Sequence, residues 1–311
     1  MLKLPAISIE AASMNPKKYR TFVYILIFFS GALFFSLRLV FAAGDDSFLL
    51  QRLLMLANKN PEEALPKDKI YFEGGFAHCT GQSEMALENN RAVEKMKAGE
   101  FQEAVPVLER ALKNSSLFFP FRYNIGICYL HLSDFKKALL NFTKAQAVVP
   151  EYYGTYLQIG EVYHRINRDS EAIDYYREAL KKNRKELNTY VLIGDLYLHR
   201  NQIQVAKKYY DECLNINSRF PNGLLGRAKI HFKQEEFYKA LVLLKSIDTS
   251  REYDKALHYY FAECAYKLRD YNTASRQYEI LLQHKNDKFF ITNSIGLIEH
   301  KLSLSNRFIE K

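Results

Sequence analysis

One pattern of small and aromatic residues decides the fold, and it stands in residues 126–145 (GICYLHLSDFKKALLNFTKA), 160–179 (GEVYHRINRDSEAIDYYREA) and 194–213 (GDLYLHRNQIQVAKKYYDEC). Each stretch begins with glycine, has tyrosine three residues later and alanine twelve residues later, and carries an aromatic ring four residues beyond that alanine. Small side chains let two helices approach closely, and the rings fill the space that remains. Each stretch is therefore predicted to contain parts of two packed helices.

The pattern recurs every 34 residues along most of the chain, without an insertion or a deletion. A period of this length predicts a solenoid in which each unit is a pair of helices. We count residue 85 as position 1 of the first unit, so that positions 8 and 20 are the two small positions. Position 8 holds Ala92, Gly126, Gly160, Gly194, Ala228 and Ala262, Gly296 restarts it, and position 20 holds Ala104, Ala138, Ala172, Ala206, Ala240 and Ala274.

The columns resemble the tetratricopeptide-repeat family, in which a small residue, a tyrosine, an alanine, an aromatic residue and a second alanine follow at these spacings. The second alanine column is Ala111, Ala145 and Ala179, and it changes to Cys213, Ile247 and Leu281 in later units. The resemblance implies an all-α solenoid of six helix-turn-helix repeats over residues 85–288, wound as a right-handed superhelix. It also implies that the first helix of each repeat, here the A helix, lines a concave groove; the second is the B helix.

Two repeats depart from the family pattern. Repeat 1 has charged residues at A-helix positions that the family makes apolar, and a proline within its B helix; these are Glu88, Arg91, Lys95 and Pro106. We expect the A helix of repeat 1 to be frayed or partly exposed, because terminal repeats are commonly atypical and proline removes a backbone donor. Repeat 5 has Arg227 and His231 at equally interior positions, which predicts a local loosening or bend there.

The resemblance places the exposed stripe of the groove at positions 5, 9, 12 and 13, which share one face of the A helix. Position 5 holds Asn89, Tyr123, Leu157, Val191, Leu225 and Tyr259, and position 12 holds Met96, Leu130, His164, Leu198, Phe232 and Tyr266. Position 13 holds Lys97, His131, Arg165, His199, Lys233 and Lys267, while acids stand at position 9 in Glu161, Asp195 and Glu263. The groove is thus predicted to have an apolar surface beside a row of cations.

The position-13 column has two explanations. Cations suit the last turn of a helix through its dipole, which would make the column an ordinary solvated edge. Alternatively, the column steers an acidic peptide, extended or helical, whose apolar residues bind the groove surface. Protonation of its histidines would then strengthen binding below about pH 6.5.

Composition argues against nucleic acid as the partner. The net charge is +9, but residues 1–43 contain five basic residues against Glu10 alone. The remaining charges mix both signs and form no continuous basic stripe with interleaved aromatic residues.

The sequence also carries no recognisable catalytic or metal-binding motif. The four cysteines are isolated, which excludes a C-x-x-C metal or redox motif. We found no phosphate-binding, zinc-protease or nucleophile-elbow motif, so we predict no cofactor and no metal. His78–Cys79, in a glycine-rich segment, is the one alternative place for a nucleophile or metal ligand, and an enzyme or redox protein using it is the alternative function.

The N-terminal segment predicts export or membrane anchoring. Residues 21–37 carry no charge and follow Lys17, Lys18 and Arg20. Seventeen residues are at the short end of a transmembrane span, and Val40 and Ala42 suit cleavage before Ala43. We therefore interpret residues 1–43 as a signal peptide or a signal anchor helix. The basic flank stays in the cytoplasm, so the repeats are expected on the far side of the membrane, in the periplasm if the host is bacterial.

The remaining segments flank the repeats. Residues 44–84 are predicted to hold an amphipathic capping helix at 46–58 and a loop at 74–81, and residues 289–311 a solitary capping helix and a tail. Together these features predict a non-catalytic protein-interaction scaffold of the cell envelope, tethered to the membrane if residues 21–42 are uncleaved. Its expected partner is a protein segment that is acidic and apolar. A cytosol-facing recruitment module anchored by the N-terminal helix remains an alternative.

Overall fold

The structure, a computed structural model, describes residues 69–81, 83–115, 118–247, 255–283 and 295–310. The predicted signal segment at 21–37 and the predicted capping helix at 46–58 lie outside the described residues. Within the described ranges, a short β-hairpin is followed by helices that succeed one another in pairs, as the 34-residue period predicts. The all-α solenoid is confirmed, with the hairpin as an addition.

The six A helices are α1 (Glu84–Lys97), α3 (Phe119–His131), α5 (Tyr153–Arg165), α7 (Leu187–His199), α9 (Pro221–Lys233) and α11 (Lys255–Lys267). The six B helices are α2 (Phe101–Asn114), α4 (Phe135–Val148), α6 (Asp169–Lys182), α8 (Ile203–Ile216), α10 (Phe237–Lys245) and α12 (Tyr271–Gln283). A solitary helix, α13 (Ile295–Ile309), packs on α12, where the sequence predicts a capping helix.

Each A helix turns into its B helix in the same way. The turn residue at position 15 has a left-handed backbone in all six described repeats, with φ between 59° and 81° at Gly99, Ser133, Asn167, Asn201, Glu235 and Arg269. In repeat 2, Asp134 N–H donates to the Tyr129 carbonyl (2.9 Å) and Ser133 N–H to the Leu130 carbonyl (3.2 Å). These bonds form a Schellman closure, which satisfies the last carbonyls of the A helix.

Small residues at position 8 receive the rings at position 24. A Cβ added to Gly126, Gly160 or Gly194 would lie 2.5–2.6 Å from the ring of Phe142, Tyr176 or Tyr210, respectively. Such contacts are too close for any side chain beyond hydrogen. The rings are buried, so the two columns read from the sequence are one packing contact between the A and B helices.

Repeat 1 is more regular than its sequence predicts. Its A helix is complete, so the expectation of fraying is wrong, whereas the expected partial exposure is confirmed at Arg91. Lys95 forms ion pairs with Glu100 (3.1 Å) and Glu103 (2.5 Å) beyond the helix end. Pro106 lies within α2 without ending it. The charged residues are accommodated because Arg91 is exposed and Glu88 and Lys95 are only partly buried.

Repeat 5 differs from its neighbours in its B helix, while the loosening or bend expected from Arg227 and His231 stays a prediction. Its B helix, α10, has nine residues, whereas the B helices of repeats 2 to 4 have fourteen. Arg227 forms an ion pair with Asp211, and Nδ1 of His231 lies 2.6 Å from a carboxylate oxygen of Glu236. Each of the two interior polar residues therefore has an acidic partner.

The segment predicted as a loop is instead a β-hairpin. Strand β1 (Lys69–Glu73) pairs antiparallel with β2 (Phe76–Thr80), and Tyr71 lies opposite His78. Gly74 and Gly75 form the two-residue turn, with φ of 59° and 84°. A tight hairpin turn of this kind favours two positive φ angles, which glycine adopts without strain. The glycines that suggested a loop are thus the turn of a hairpin.

Candidate functional site

The position-13 column lies at the ends of the A helices. Each of its six members is the last residue of its helix, and all six are exposed: Lys97, His131, Arg165, His199, Lys233 and Lys267. Their placement satisfies the helix-dipole explanation and at the same time leaves them accessible to a partner. The two explanations are therefore compatible.

Positions 5 and 12 differ along the solenoid. In repeats 1 and 2 all four of these residues are buried, namely Asn89, Met96, Tyr123 and Leu130. In repeats 3 to 6 most are partly or fully exposed, namely Leu157, His164, Leu198, Phe232, Tyr259 and Tyr266, while Val191 and Leu225 are buried. The same columns are covered at one end of the solenoid and more open over the rest.

The cover at the N-terminal end is the hairpin. Strand β2 lies against the A helices α1 and α3, and two asparagines at position 6 hold its backbone. Asn124 accepts from Ala77 N–H (2.9 Å) and donates to the Ala77 carbonyl (2.8 Å). Asn90 accepts from Cys79 N–H (2.9 Å) and donates to the Cys79 carbonyl (2.6 Å). Each carboxamide therefore pairs with both polar groups of one residue, as a neighbouring strand would.

A third asparagine, at position 5, completes this clamp. Asn89 donates to the Ala77 carbonyl (2.8 Å) and accepts from the Asn124 amide (3.0 Å). Asn89 and Asn124 are fully buried, so their bonds are made away from water, where an unpaired amide costs most. The groove surface of repeats 1 and 2 is built to bind extended backbone.

The signal for these residues in the sequence is at position 6, next to the position-5 column. Asn90 and Asn124 are 34 residues apart, and Asn124 interrupts the otherwise hydrophobic sequence Tyr123-Asn-Ile125. A polar side chain in the interior of a buried helix face requires hydrogen-bond partners. The partners lie on a strand 47 residues earlier in the chain, and for that reason the helix pattern does not reveal them.

Aromatic side chains secure the turn end of the hairpin. The ring of Phe72 stacks on that of Tyr152 with 4.3 Å between centroids, and meets Tyr123 edge-on at 5.4 Å and Phe119 at 6.3 Å. Burial raises the pKa of the Tyr123 hydroxyl well above its usual range. Phe72 thus connects the hairpin to the A helix of repeat 2 and to the start of repeat 3.

The acids at position 9 are held by tyrosines at position 24. Tyr210 donates to Asp195 (2.8 Å) and Tyr278 to Glu263 (2.8 Å). Cations from the following unit complete each site: Lys229 reaches Asp195 (3.0 Å) and Lys301 of α13 reaches both oxygens of Glu263 (2.7 Å). Asp195 and Glu263 are therefore structural links between successive units, and their negative charge is not free on the groove surface.

The cations at position 13 have few strong partners. Lys97 pairs with Glu94 (3.2 Å) and Arg165 with Glu161 (2.7 Å), both within one helix. Lys233 donates to the Leu198 carbonyl of the preceding repeat (3.3 Å), and Lys267 has no ion-pair partner among the described residues. Exposed pairs of this kind contribute little stability, so the charges remain available to a ligand.

His131 belongs to the same column but is stacked on Phe101, with 4.1 Å between ring centroids. Partial burial, and then the positive charge of Arg165, hold the pKa of His131 below its ordinary value. His131 is therefore protonated at a lower pH than a histidine with an ordinary pKa.

The His78–Cys79 pair is in strand β2 and is buried, with 3% and 2% of the two residues exposed. The His78 ring stacks on Tyr71 at 4.9 Å, and burial, followed by the charge of Lys97, lowers its pKa. Neither side chain reaches a surface where a substrate would bind. Cys128, Cys213 and Cys264 are also buried, and burial raises their thiol pKa to about 12, about 11 and about 12.

Two further properties concern the described residues only. No cluster of three or more histidine, cysteine or acidic side chains there is arranged to hold a metal ion. None of the helices in these ranges has both the length and the apolar character that crossing a bilayer requires.

Comparison with known proteins agrees with the architecture. Sequence profiles described as tetratricopeptide repeat match residues 89–150, 155–187 and 187–220. PilF of Pseudomonas aeruginosa is similar in structure, with a TM-score of 0.55 and 18% identity over 65% of this chain and 90% of that one. PilW, described as a type IV pilus biogenesis factor, gives 0.56 and 17% over 70% and 99%.

A third similar structure is the Cut9–Hcn1 hetero-tetramer of the APC/C, with a TM-score of 0.57 and 14% identity over 72% of this chain and 45% of that one. At these identities the likeness concerns the fold alone. No curated protein sequence matches the chain.

Proposed function

We propose that this chain, a tetratricopeptide-repeat protein and hence a protein-interaction scaffold, holds an acidic and apolar segment of a partner protein in the groove of repeats 3 to 6. One observation carries the proposal: the same face of the A helices in repeats 1 and 2 holds an extended strand, β2, through Asn90 and Asn124. An extended chain therefore fits this face.

The groove of repeats 3 to 6 would recognise side chains more than backbone. Position 6, which supplies the asparagine clamps, becomes Gln158, Leu192, Gly226 and Tyr260 in these repeats. From repeat 4 onward position 6 has no carboxamide. The groove of repeats 3 to 6 instead has apolar surface at Leu192 and, at positions 5 and 12, at Leu157, Leu198 and Phe232. Apolar residues of a partner would be buried there, which is the main favourable term in association.

Charge favours an acidic partner. Arg165, His199, Lys233 and Lys267 follow the groove of repeats 3 to 6 in one exposed column. Asp195 and Glu263 of the groove are already bonded to Tyr210, Tyr278, Lys229 and Lys301, and Glu161 pairs with Arg165. A segment with carboxylates on the side of the position-13 column would be steered into place and held in one register.

Capture in cells tests where the partner binds. A photo-crosslinking residue placed at Leu192, which is 36% exposed in the groove, should form one dominant adduct with the partner. The matched control is Leu140, which is 53% exposed on a B helix and should form none. Equal adducts at both positions would contradict binding in the groove.

Charge reversal tests the chemistry of the partner. Changing Arg165, Lys233 and Lys267 together to glutamate should weaken binding of the captured segment by roughly a hundredfold, since each lost attraction becomes a repulsion. The control reverses Lys136, Lys207 and Lys208, which are exposed on B helices and change the net charge equally. If both triple variants bind as the parent does, the position-13 column has no part in recognition.

We also propose that the repeats act in the cell envelope, on the far side of the cytoplasmic membrane. The support is sequence alone: the uncharged segment 21–37 after three basic residues. Protease added to intact spheroplasts should digest the repeats of the exported protein. Protection from protease until the spheroplasts are lysed would favour the cytosol-facing alternative.

A further inference from the structure

The two edges of the hairpin are in different environments. In an antiparallel pair, alternate residues direct their N–H and carbonyl groups away from the partner strand. On β2 these residues are Ala77 and Cys79, and the asparagines pair with both. On β1 the corresponding residues are Ile70 and Phe72, whose outward backbone groups bond to none of the described residues.

The free edge of β1 is accessible. All of its residues except Ile70 are exposed, including 43% of Tyr71 and 37% of Phe72. Proteins usually protect an exposed edge with charges in its middle, with proline or with a bulge. β1 has its charges only at the ends, as Lys69 and Glu73, and three hydrophobic residues between them. An edge of this composition favours pairing with another strand.

The sequence of β1, Lys69-Ile70-Tyr71-Phe72-Glu73, is complementary to itself when read in the opposite direction. In an antiparallel pair centred on Tyr71, Lys69 of one copy faces Glu73 of the other at both ends. Ile70 faces Phe72, and Tyr71 faces Tyr71. Opposite charges, β-branched with aromatic, and aromatic with aromatic are the cross-strand pairs that stabilise sheets.

The hydrogen-bond pattern permits the same register. Ile70 and Phe72 are the two residues with free outward groups, and centring on Tyr71 places Ile70 of one strand opposite Phe72 of the other. Each of these pairs exchanges two backbone hydrogen bonds, while the Tyr71 pair lies at the closer, non-hydrogen-bonded spacing. A shift by one residue would put the outward groups opposite inward ones and remove the bonds.

We infer that two copies of this chain associate through β1, forming a four-stranded antiparallel sheet with a twofold axis at Tyr71. Because the axis is perpendicular to the sheet, both solenoids lie on its same side. The edge of β2 contributes nothing to this contact, since the asparagine clamps already occupy it. The interface is independent of the groove of repeats 3 to 6, so either site can bind without the other.

Single cysteines test the register, because the four native cysteines are buried. In the full-length chain, Tyr71→Cys faces its own copy and should form a disulfide-linked dimer under mild oxidation. Glu73→Cys is offset from its own copy and should not, but it should link to Lys69→Cys when the two variants are mixed. Dimers from Glu73→Cys alone, in the same yield as from Tyr71→Cys, would overturn the register.

Charge reversal tests the same contact without a covalent bond. Lys69→Glu and Glu73→Lys should each weaken the dimer roughly tenfold in sedimentation equilibrium, because both end pairs become repulsive. Mixing the two variants restores opposite charges at both ends and should give a heterodimer of parental affinity. A parent chain that remains monomeric at all concentrations, or single reversals that leave dimerisation unchanged, would overturn the inference.

Discussion

Repeats 1 and 2 and repeats 3 to 6 present the same helix positions on the same face, yet only the first two repeats are covered by another segment of the described chain. Tyr123 is a core residue with Phe72 of the hairpin against its ring, while Leu157 at the same position of repeat 3 remains partly exposed. The repeat position therefore defines a surface, and the hairpin makes that surface part of the core in repeats 1 and 2.

The strongest way to break this comparison is to remove a clamp. Asn124→Ala leaves the Ala77 N–H without its acceptor and the Ala77 carbonyl without one of its two donors, in a buried site. We expect the free energy of unfolding to fall by about 3 kcal/mol, measured by urea denaturation, and amide exchange at Ala77 and Cys79 to accelerate.

Asn188→Ala, at an exposed site on α7, is the control for this change and should alter stability by less than about 0.5 kcal/mol. If Asn124→Ala behaved in the same way, the hairpin would not depend on the clamp.

Removing the ring of Phe72 tests whether aromatic contacts, in addition to the asparagine clamps, hold the hairpin on repeats 1 and 2. Phe72→Ala loses the contacts with Tyr152 and Tyr123 and should cost about 2 kcal/mol, since the ring is partly buried. Its counterpart in the open region, Leu192→Ala, should cost less than about 1 kcal/mol while weakening partner binding. Thermal melts of both variants measure the difference, and equal losses would show that the two regions are not distinct.

Single charge reversals sharpen the contrast at the position-13 column. Lys267→Glu, in the open region, should weaken binding of the partner segment by about threefold to fivefold, an effect that salt should reduce. Lys97→Glu, beside the covered region, should leave affinity unchanged. Fluorescence anisotropy with the captured segment distinguishes the two, and an equal effect at both sites would mean that the partner spans the whole solenoid.

The smallest expected effect concerns His131. Its pKa lies below the ordinary 6.5 because of partial burial and the charge of Arg165, so Arg165→Gln should raise it, as NMR titration would show. A histidine whose pKa is lowered by folding destabilises the fold as pH falls. Its contribution is intact above pH 6.5 and is lost as the pH drops through 6.5 towards the folded-state value.

The solenoid was predictable because its determinants are periodic. Gly160 and Tyr176 recur with their equivalents at fixed spacing, and the contact they make follows from size alone. The hairpin was not predicted, although Gly74-Gly75 between two five-residue segments that each contain three hydrophobic residues is a recognised hairpin signal. Its docking depends on bonds between residues 47 positions apart, and no local pattern specifies such a pair. The helix of repeat 1 was underestimated because Lys95 is stabilised by Glu100 and Glu103, beyond the end of the helix.

The position of the hairpin also sets a limit on length. A segment lying in the groove from repeat 6 towards repeat 3 meets the clamped strand at repeat 2 and has to leave the surface there. Neighbouring helices pack about 8–10 Å apart, so four A helices span about 30 Å, which an extended chain covers in about nine residues. The hairpin would thus limit the length of the segment that fits in the groove. Shorter segments would leave apolar surface uncovered, and longer ones would have to turn away into solvent.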